Sequence, residues 1–119
     1  MNHAIKLGDD FVRMGDIGAA VEGVLRHERL GVVRDLVGHG IGRAMHEEPD
    51  IPNYGRRGTG MMVPVGNAIA IEPMATLGTW KVSYTDDGWT IKTRDGSLAA
   101  HFEHTLLLHP DRVEIITQL

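Results

Sequence analysis

Two histidines seven residues apart, His39 and His46, stand in the stretch Asp35-Leu-Val-Gly-His-Gly-Ile-Gly-Arg-Ala-Met-His-Glu-Glu-Pro49. The glycines let backbone and ligand approach closely, and imidazoles in such a setting can bind metal or move protons. A core or surface histidine with ordinary partners is the competing reading. Further along, Glu72 follows Ile-Ala-Ile and precedes Pro73, while Glu103 lies between Phe102 and His104. A carboxylate on or beside an apolar extended segment is costly unless it is paired or bound to a cation. His39, Glu72 and Glu103 together form a nitrogen and oxygen donor set that suits Mn, Fe(II), Co or Zn better than thiophilic ions. Their spacings of 33 and 31 residues carry no specificity, and salt-bridged glutamates explain the same pattern. On the residues alone both readings stand.

The elements that must position these groups can be read in outline. Asp16 is an N-cap candidate, and Ile17, Ala20, Val21, Val24 and Leu25 recur at helical spacing up to Gly31, a C-cap candidate. This predicts a helix over about 16–30 with one buried stripe, and His27 and Glu28 on its solvated side. Val32-Val33 and Leu36-Val37 then lead into the histidine stretch as an extended segment. Pro49, Pro52, Gly55, Gly58 and Gly60 mark a loop region, and Pro64-Val-Gly66 a turn before a buried strand at Ala68–Ile71.

Hairpins fill the remainder. Asp86-Asp-Gly88 and Asp95-Gly96 are turn signals around the alternating run Trp89–Thr93. His101–Leu108 reads as one strand, and Val113–Thr117 as the last. His101 and His109 read as neighbours or surface groups, and His104 falls by alternation on the opposite face from Glu103. None of these three is placed in the site. The predicted class is α+β, with at least one helix and a mostly antiparallel curved sheet. Residues 1–15 read as a lead-in and 16–119 as a single domain.

Composition narrows the classes further. At 119 residues, 42% hydrophobic and 24% charged, the chain suits one globular domain. With 5% aromatic residues, aliphatic side chains must build the core. A net charge of -4 without a long basic run favours no nucleic-acid partner. Without cysteine there are no disulfides and no thiolate ligands. No apolar run reaches the length of a membrane span, and the N-terminus lacks a signal-peptide core, so the cytoplasm is the default location.

The histidine stretch also resembles the GHGIG…HEEP signature of type I methionine aminopeptidases, metal-dependent enzymes that remove initiator methionine. Ile51-Pro-Asn-Tyr-Gly55, Ile69-Ala-Ile-Glu-Pro-Met74, Asp87-Gly-Trp-Thr-Ile-Lys-Thr93 and His101-Phe-Glu-His-Thr105 continue the resemblance, in order, over about Gly15 to Leu119. It implies His39, Glu72 and Glu103 as metal ligands, with Glu72 also the proton shuttle and Glu103 a bridge between two divalent ions. It implies His46 as a contact to the scissile amide, and Met45 and Trp89 as walls of the methionine side-chain pocket. Met45 stands where the family commonly has Phe, which keeps an apolar and more pliable wall.

The family site also takes two aspartates and a histidine from segments ahead of the signature. Asp9, Asp10, Asp16 and Asp35 precede His39, and none lies in such a context. The resemblance therefore implies the C-terminal half of a pita-bread fold. Its expected state is a single weakly held ion, with an open apolar face covered by a second copy or by a complementary N-terminal half. The substrate implied is a peptide N-terminus bearing methionine. A non-catalytic half-domain that binds a peptide or protein is the alternative.

Overall fold

Apolar alternation along short strands builds most of this chain. The computed structural model describes residues 11–118, without the side chain of Phe11. The chain opens with β1 (Phe11–Arg13), α1 (Met14–His27), β2 (Gly31–Val32), β3 (Gly38–Ile41) and β4 (Glu47–Ile51). Next come β5 (Met62–Pro64), β6 (Ala68–Ile71), β7 (Met74–Thr76), β8 (Val82–Tyr84) and β9 (Ile91–Thr93). The last three are β10 (Ala99–His101), β11 (His104–Leu108) and β12 (Val113–Ile115). Every pairing among the described strands is antiparallel. The central sheet has the order β12-β11-β6-β3-β4, and a smaller one runs β10-β7-β2. Two further pairs, β1-β5 and β8-β9, complete the set.

The core lies on one face of the central sheet. Ile51, Ile69, Ile71, Leu106 and Leu108 pack there with Ile17 and Met14 of α1 and with Val12 and Val63 of the β1-β5 pair. All nine are aliphatic or thioether side chains, as the low aromatic content requires. The helix buries its first two turns through Met14, Ile17 and Ala20. Its last turn stands in the open, and Val24, expected in the buried stripe, is 61% exposed.

The helix boundaries differ from the expected 16–30. It starts at Met14, directly after β1, so residues 11–15 are not an irregular lead-in; residues 1–10 lie outside the described part. Asp16 sits in the first turn rather than at the cap, and its carboxylate accepts the Gly58 N–H at 2.8 Å. A negative charge at that place also complements the helix dipole. At the other end, Arg29 N–H donates to Arg26 O at 2.9 Å and Leu30 N–H to Leu25 O at 2.9 Å. These are the paired bonds of a Schellman motif, which ends the helix before Gly31 and frees that glycine to begin β2. The left-handed position falls on Arg29, at φ 59°. Arg29→Gly relieves that conformation and should stabilise the fold by about 0.5–1 kcal/mol, read as a higher urea midpoint.

Three other expectations are corrected by non-local pairing. Glu47–Ile51 is strand, not loop, because it forms an edge of the central sheet on β3. His101–Leu108 is not one strand: β10 pairs with β7, β11 pairs with β6, and Phe102-Glu103 crosses between the sheets. The strands predicted at Trp89–Thr93 and Val113–Thr117 shorten to Ile91–Thr93 and Val113–Ile115. The strand at Ala68–Ile71 and the turn before it stand as predicted.

Candidate metal centre

Register places the three predicted donors on one face. His39 lies opposite Ala70, so the two share a side of the central sheet. Glu72 is two residues beyond Ala70 and keeps that side. His104 lies opposite Ile71, so Glu103 faces Glu72 one step past the end of the β11-β6 ladder. The core occupies the other face, on the side of Ile69 and Ile71. The middle three strands of the sheet thus separate an apolar side from a chemical one.

The side chains converge as the register requires. One donor atom each from His39, Glu72 and Glu103 lies within 4.8 Å of the others. His39 Nε2 stands 3.4 Å from Glu72 Oε1, with side-chain exposures of 11% and 14%. His39 Nδ1 is 2.8 Å from the Gly40 carbonyl, which can only accept, so Nδ1 carries a proton. The Nε2 side of the ring, free of that hydrogen bond, faces a carboxylate oxygen. Two acceptors face each other favourably only with a cation or a further proton between them. A ligating histidine that donates its other N–H to a backbone carbonyl is the usual arrangement at a metal. The donor set and its spacing fit a divalent ion.

A backbone irregularity aims His39. The β3-β4 register shifts between His39 and Gly40, where Glu48 and Pro49 bulge out of the β4 strand. Bulges bend a strand and redirect the side chains next to them. Gly40 lies flat against this bulge: a Cβ there would stand 2.2 Å from the Glu48 carbonyl oxygen. The loop that follows folds back on itself, with Ala44 N–H donating to Glu47 Oε1 at 2.9 Å. It returns His46 over His39, ring centroids 4.2 Å apart and tilted by 47°. Behind the cluster, the fully buried Asn53 donates from Nδ2 to the Glu72 carbonyl oxygen at 3.5 Å.

Met45 and Trp89 sit on separate loops and are 73% and 89% exposed. The Trp89 turn is fixed by Asp87, whose Oδ1 accepts from Thr85 Oγ1 at 2.6 Å, Trp89 N–H at 2.9 Å and Thr90 N–H at 2.7 Å. These donors, the Thr85 hydroxyl first, hold the Asp87 carboxyl below the ordinary carboxylate range. Trp89 thus projects from a rigid hairpin although its own ring is in solvent.

One histidine is placed differently from its sequence reading. His101 is not a bystander: its Nε2 lies 3.2 Å from Glu72 Oε2, the oxygen turned away from His39. The i, i+2 spacing of His101 and Glu103 was the available signal, since alternation puts such residues on one side. His104 does stay out of the cluster, its Nδ1 2.9 Å from Thr117 Oγ1, and His109 pairs with Glu114 at 2.6 Å.

Known proteins share both sequence and fold with this chain. It is 48% identical over 105 residues to methionine aminopeptidase B of Synechocystis sp., covering 88% of this chain and 38% of that one. To the Escherichia coli methionine aminopeptidase it is 39% identical over 114 residues, 96% of this chain and 43% of that one. The crystal structure of Thermotoga maritima methionine aminopeptidase superposes with a TM-score of 0.88 at 46% identity, over 98% of this chain and 47% of that one. The Rickettsia prowazekii enzyme gives 0.87 at 43% identity, over 96% and 45%. The chain therefore spans about two fifths of the length of the curated relatives it matches. The α+β arrangement is that of part of the pita-bread fold these enzymes share. Among the described residues no helix is long and apolar enough to cross a membrane. The profile of metallopeptidase family M24, whose members work with divalent metal, matches residues 1–110, and the chain belongs to that family.

Proposed function

We propose that this chain carries the metal-binding side of a methionine aminopeptidase, which hydrolyses the first peptide bond of chains beginning with methionine. The observation that supports it is the His39, Glu72 and Glu103 cluster on the face opposite the core. These three residues would hold Mn, Fe(II), Co or Zn; two ions per site occur in the resemblance, and three donors favour one held weakly. When bound, such an ion supplies Lewis acidity, making water nucleophilic near neutral pH and stabilising developing negative charge.

The protein's own groups do the rest. Glu72 takes the proton of the attacking water on its carboxylate and returns it to the departing amine nitrogen. His46, its ring tilted against that of His39, donates to the scissile amide and orients it. Met45 and Trp89 offer exposed apolar surface for the methionine side chain. Nascent-chain substrates place this work in the cytoplasm.

A second polypeptide completes the surface in this reading. Leu77, Leu98 and Phe102 are 66%, 75% and 70% exposed around an apolar groove that also takes in Leu25, Leu30 and Pro73. Apolar surface gathered in one patch drives association. A second copy or a complementary N-terminal half is the proposed cover.

The test is hydrolysis of Met-Ala-Ser with added Mn(II) or Co(II), with and without a chelator, beside a light-scattering mass of the same sample. Methionine release that stops on chelation is the expected result. Cobalt binding without release would move the chain to the binding-module reading, and no binding at all would overturn the metal centre. A monomeric mass would exclude the second copy.

A further inference from the structure

We propose that His101 is a positioning residue for Glu72, holding the outer oxygen of its carboxylate so that the inner one faces His39 and Glu103. This rests on the metal-centre reading above for its consequence, though not for its geometry.

The Glu72 carboxylate stands between two imidazoles. Oε1 is 3.4 Å from His39 Nε2 and Oε2 is 3.2 Å from His101 Nε2. The three-donor group is His39, Glu72 and Glu103, without His101. The two histidines therefore differ in role: one is inside the cluster and the other stands behind it. An ionised carboxylate only accepts, so a favourable contact at Oε2 requires a proton on His101 Nε2. That proton leaves Nε2 without the lone pair a ligand needs, which makes His101 an outer partner.

The backbone explains why His101 can do this. Glu72 follows the last residue of β6, where no ladder partner fixes its side chain. The β10 strand belongs to the other sheet and pairs with β7, His101 opposite Met74, two residues past Glu72. His101 therefore reaches Glu72 from a separate sheet. Phe102-Glu103 then crosses to β11 and brings the third donor in from the same segment. Fixing a ligand's orientation from behind typically changes metal affinity 10- to 100-fold. His101 is half exposed and contributes no core packing, so its removal tests position rather than folding.

Two measurements separate the outcomes. Long-range proton–nitrogen NMR on the metal-free protein at about pH 8 reads the neutral tautomers. His101 should carry its proton on Nε2 and His39 on Nδ1, and Glu72→Gln should shift the His101 signals. A proton on Nδ1 of His101 overturns the proposal whether or not metal binds. Second, a Co(II) titration compares wild type with His101→Ala and His101→Gln. The alanine variant should bind Co(II) 10- to 100-fold more weakly with an altered visible spectrum, and the glutamine variant, which keeps an N–H donor, should restore both. Equal affinity and spectrum in the alanine variant would overturn the proposal. So would a glutamine variant as weak as alanine, because the imidazole would then be a ligand. Wild-type protein that takes up no cobalt while showing the expected tautomers would instead refute the metal-centre reading and leave the His101–Glu72 pairing supported.

Discussion

Glu72→Gln should lower methionine release by about 10²–10⁴-fold at saturating Co(II), the range for loss of a general acid–base. Glutamine has nearly the same shape but neither charge nor a proton-accepting carboxylate, so the change isolates chemistry from packing. It also removes one of the two anionic donors, and the Co(II) titration should weaken in parallel. The metal-free fold should not suffer. Glu72 sits at 14% side-chain exposure between His39 and His101, and glutamine fills the same space with an N–H and a carbonyl oxygen that can face the two imidazoles. Thermal unfolding should show a metal-free midpoint close to wild type and a smaller rise on adding cobalt. Activity within threefold of wild type would remove Glu72 from the proposed proton transfer.

Gly40→Ala should be a severely damaging single-methyl addition near the centre. The new Cβ meets only backbone: the Glu48 oxygen at 2.2 Å, its carbon at 2.8 Å and the Glu47 oxygen at 3.1 Å. Backbone atoms cannot swing aside as a side-chain tip can, so the bulge must shift or β4 must leave the sheet. The carbonyl that holds His39 Nδ1 belongs to this same residue. Stability should fall by about 3 kcal/mol or more, at or beyond the upper end of overpacking costs, with a loss of cobalt affinity in whatever remains folded. Chemical denaturation measures the first effect and the cobalt titration the second. A variant with wild-type stability would show that the bulge is softer than its contacts imply.

How much of this could be read from the chain depends on how local each signal is. The strand at Ala68–Ile71 was legible because four apolar residues lie between a Pro-Val-Gly turn and Glu-Pro. The helix was legible from its period, but its ends were not. Its stop rests on two backbone bonds around Arg29, a residue no cap preference would select. The donors were visible as residue types, and the resemblance chose among them. Their common face was hidden, because parity along a strand has meaning only once the register with another strand is known. The pairs His39 with Ala70 and Ile71 with His104 are that missing information. The break at Phe102-Glu103 carries no Gly or Pro, so nothing local announces it. It follows from competition between two sheets for one segment, whereas the side His101 shares with Glu103 was legible from their i, i+2 spacing.

The β4 edge, one of the two borders of the central sheet, sets limits on how this protein can meet another chain. The β4 strand offers Glu47, Glu48, Pro49 and Asp50 along that border. Proline has no N–H to give a new ladder, and three carboxylates within four residues repel an approaching strand of like sequence. Runaway edge-to-edge stacking into fibrils is therefore blocked at this border. The apolar groove on the other part of the molecule has no such guard. At the β4 border, self-association is steered toward side-chain contact between faces and away from continuation of the sheet.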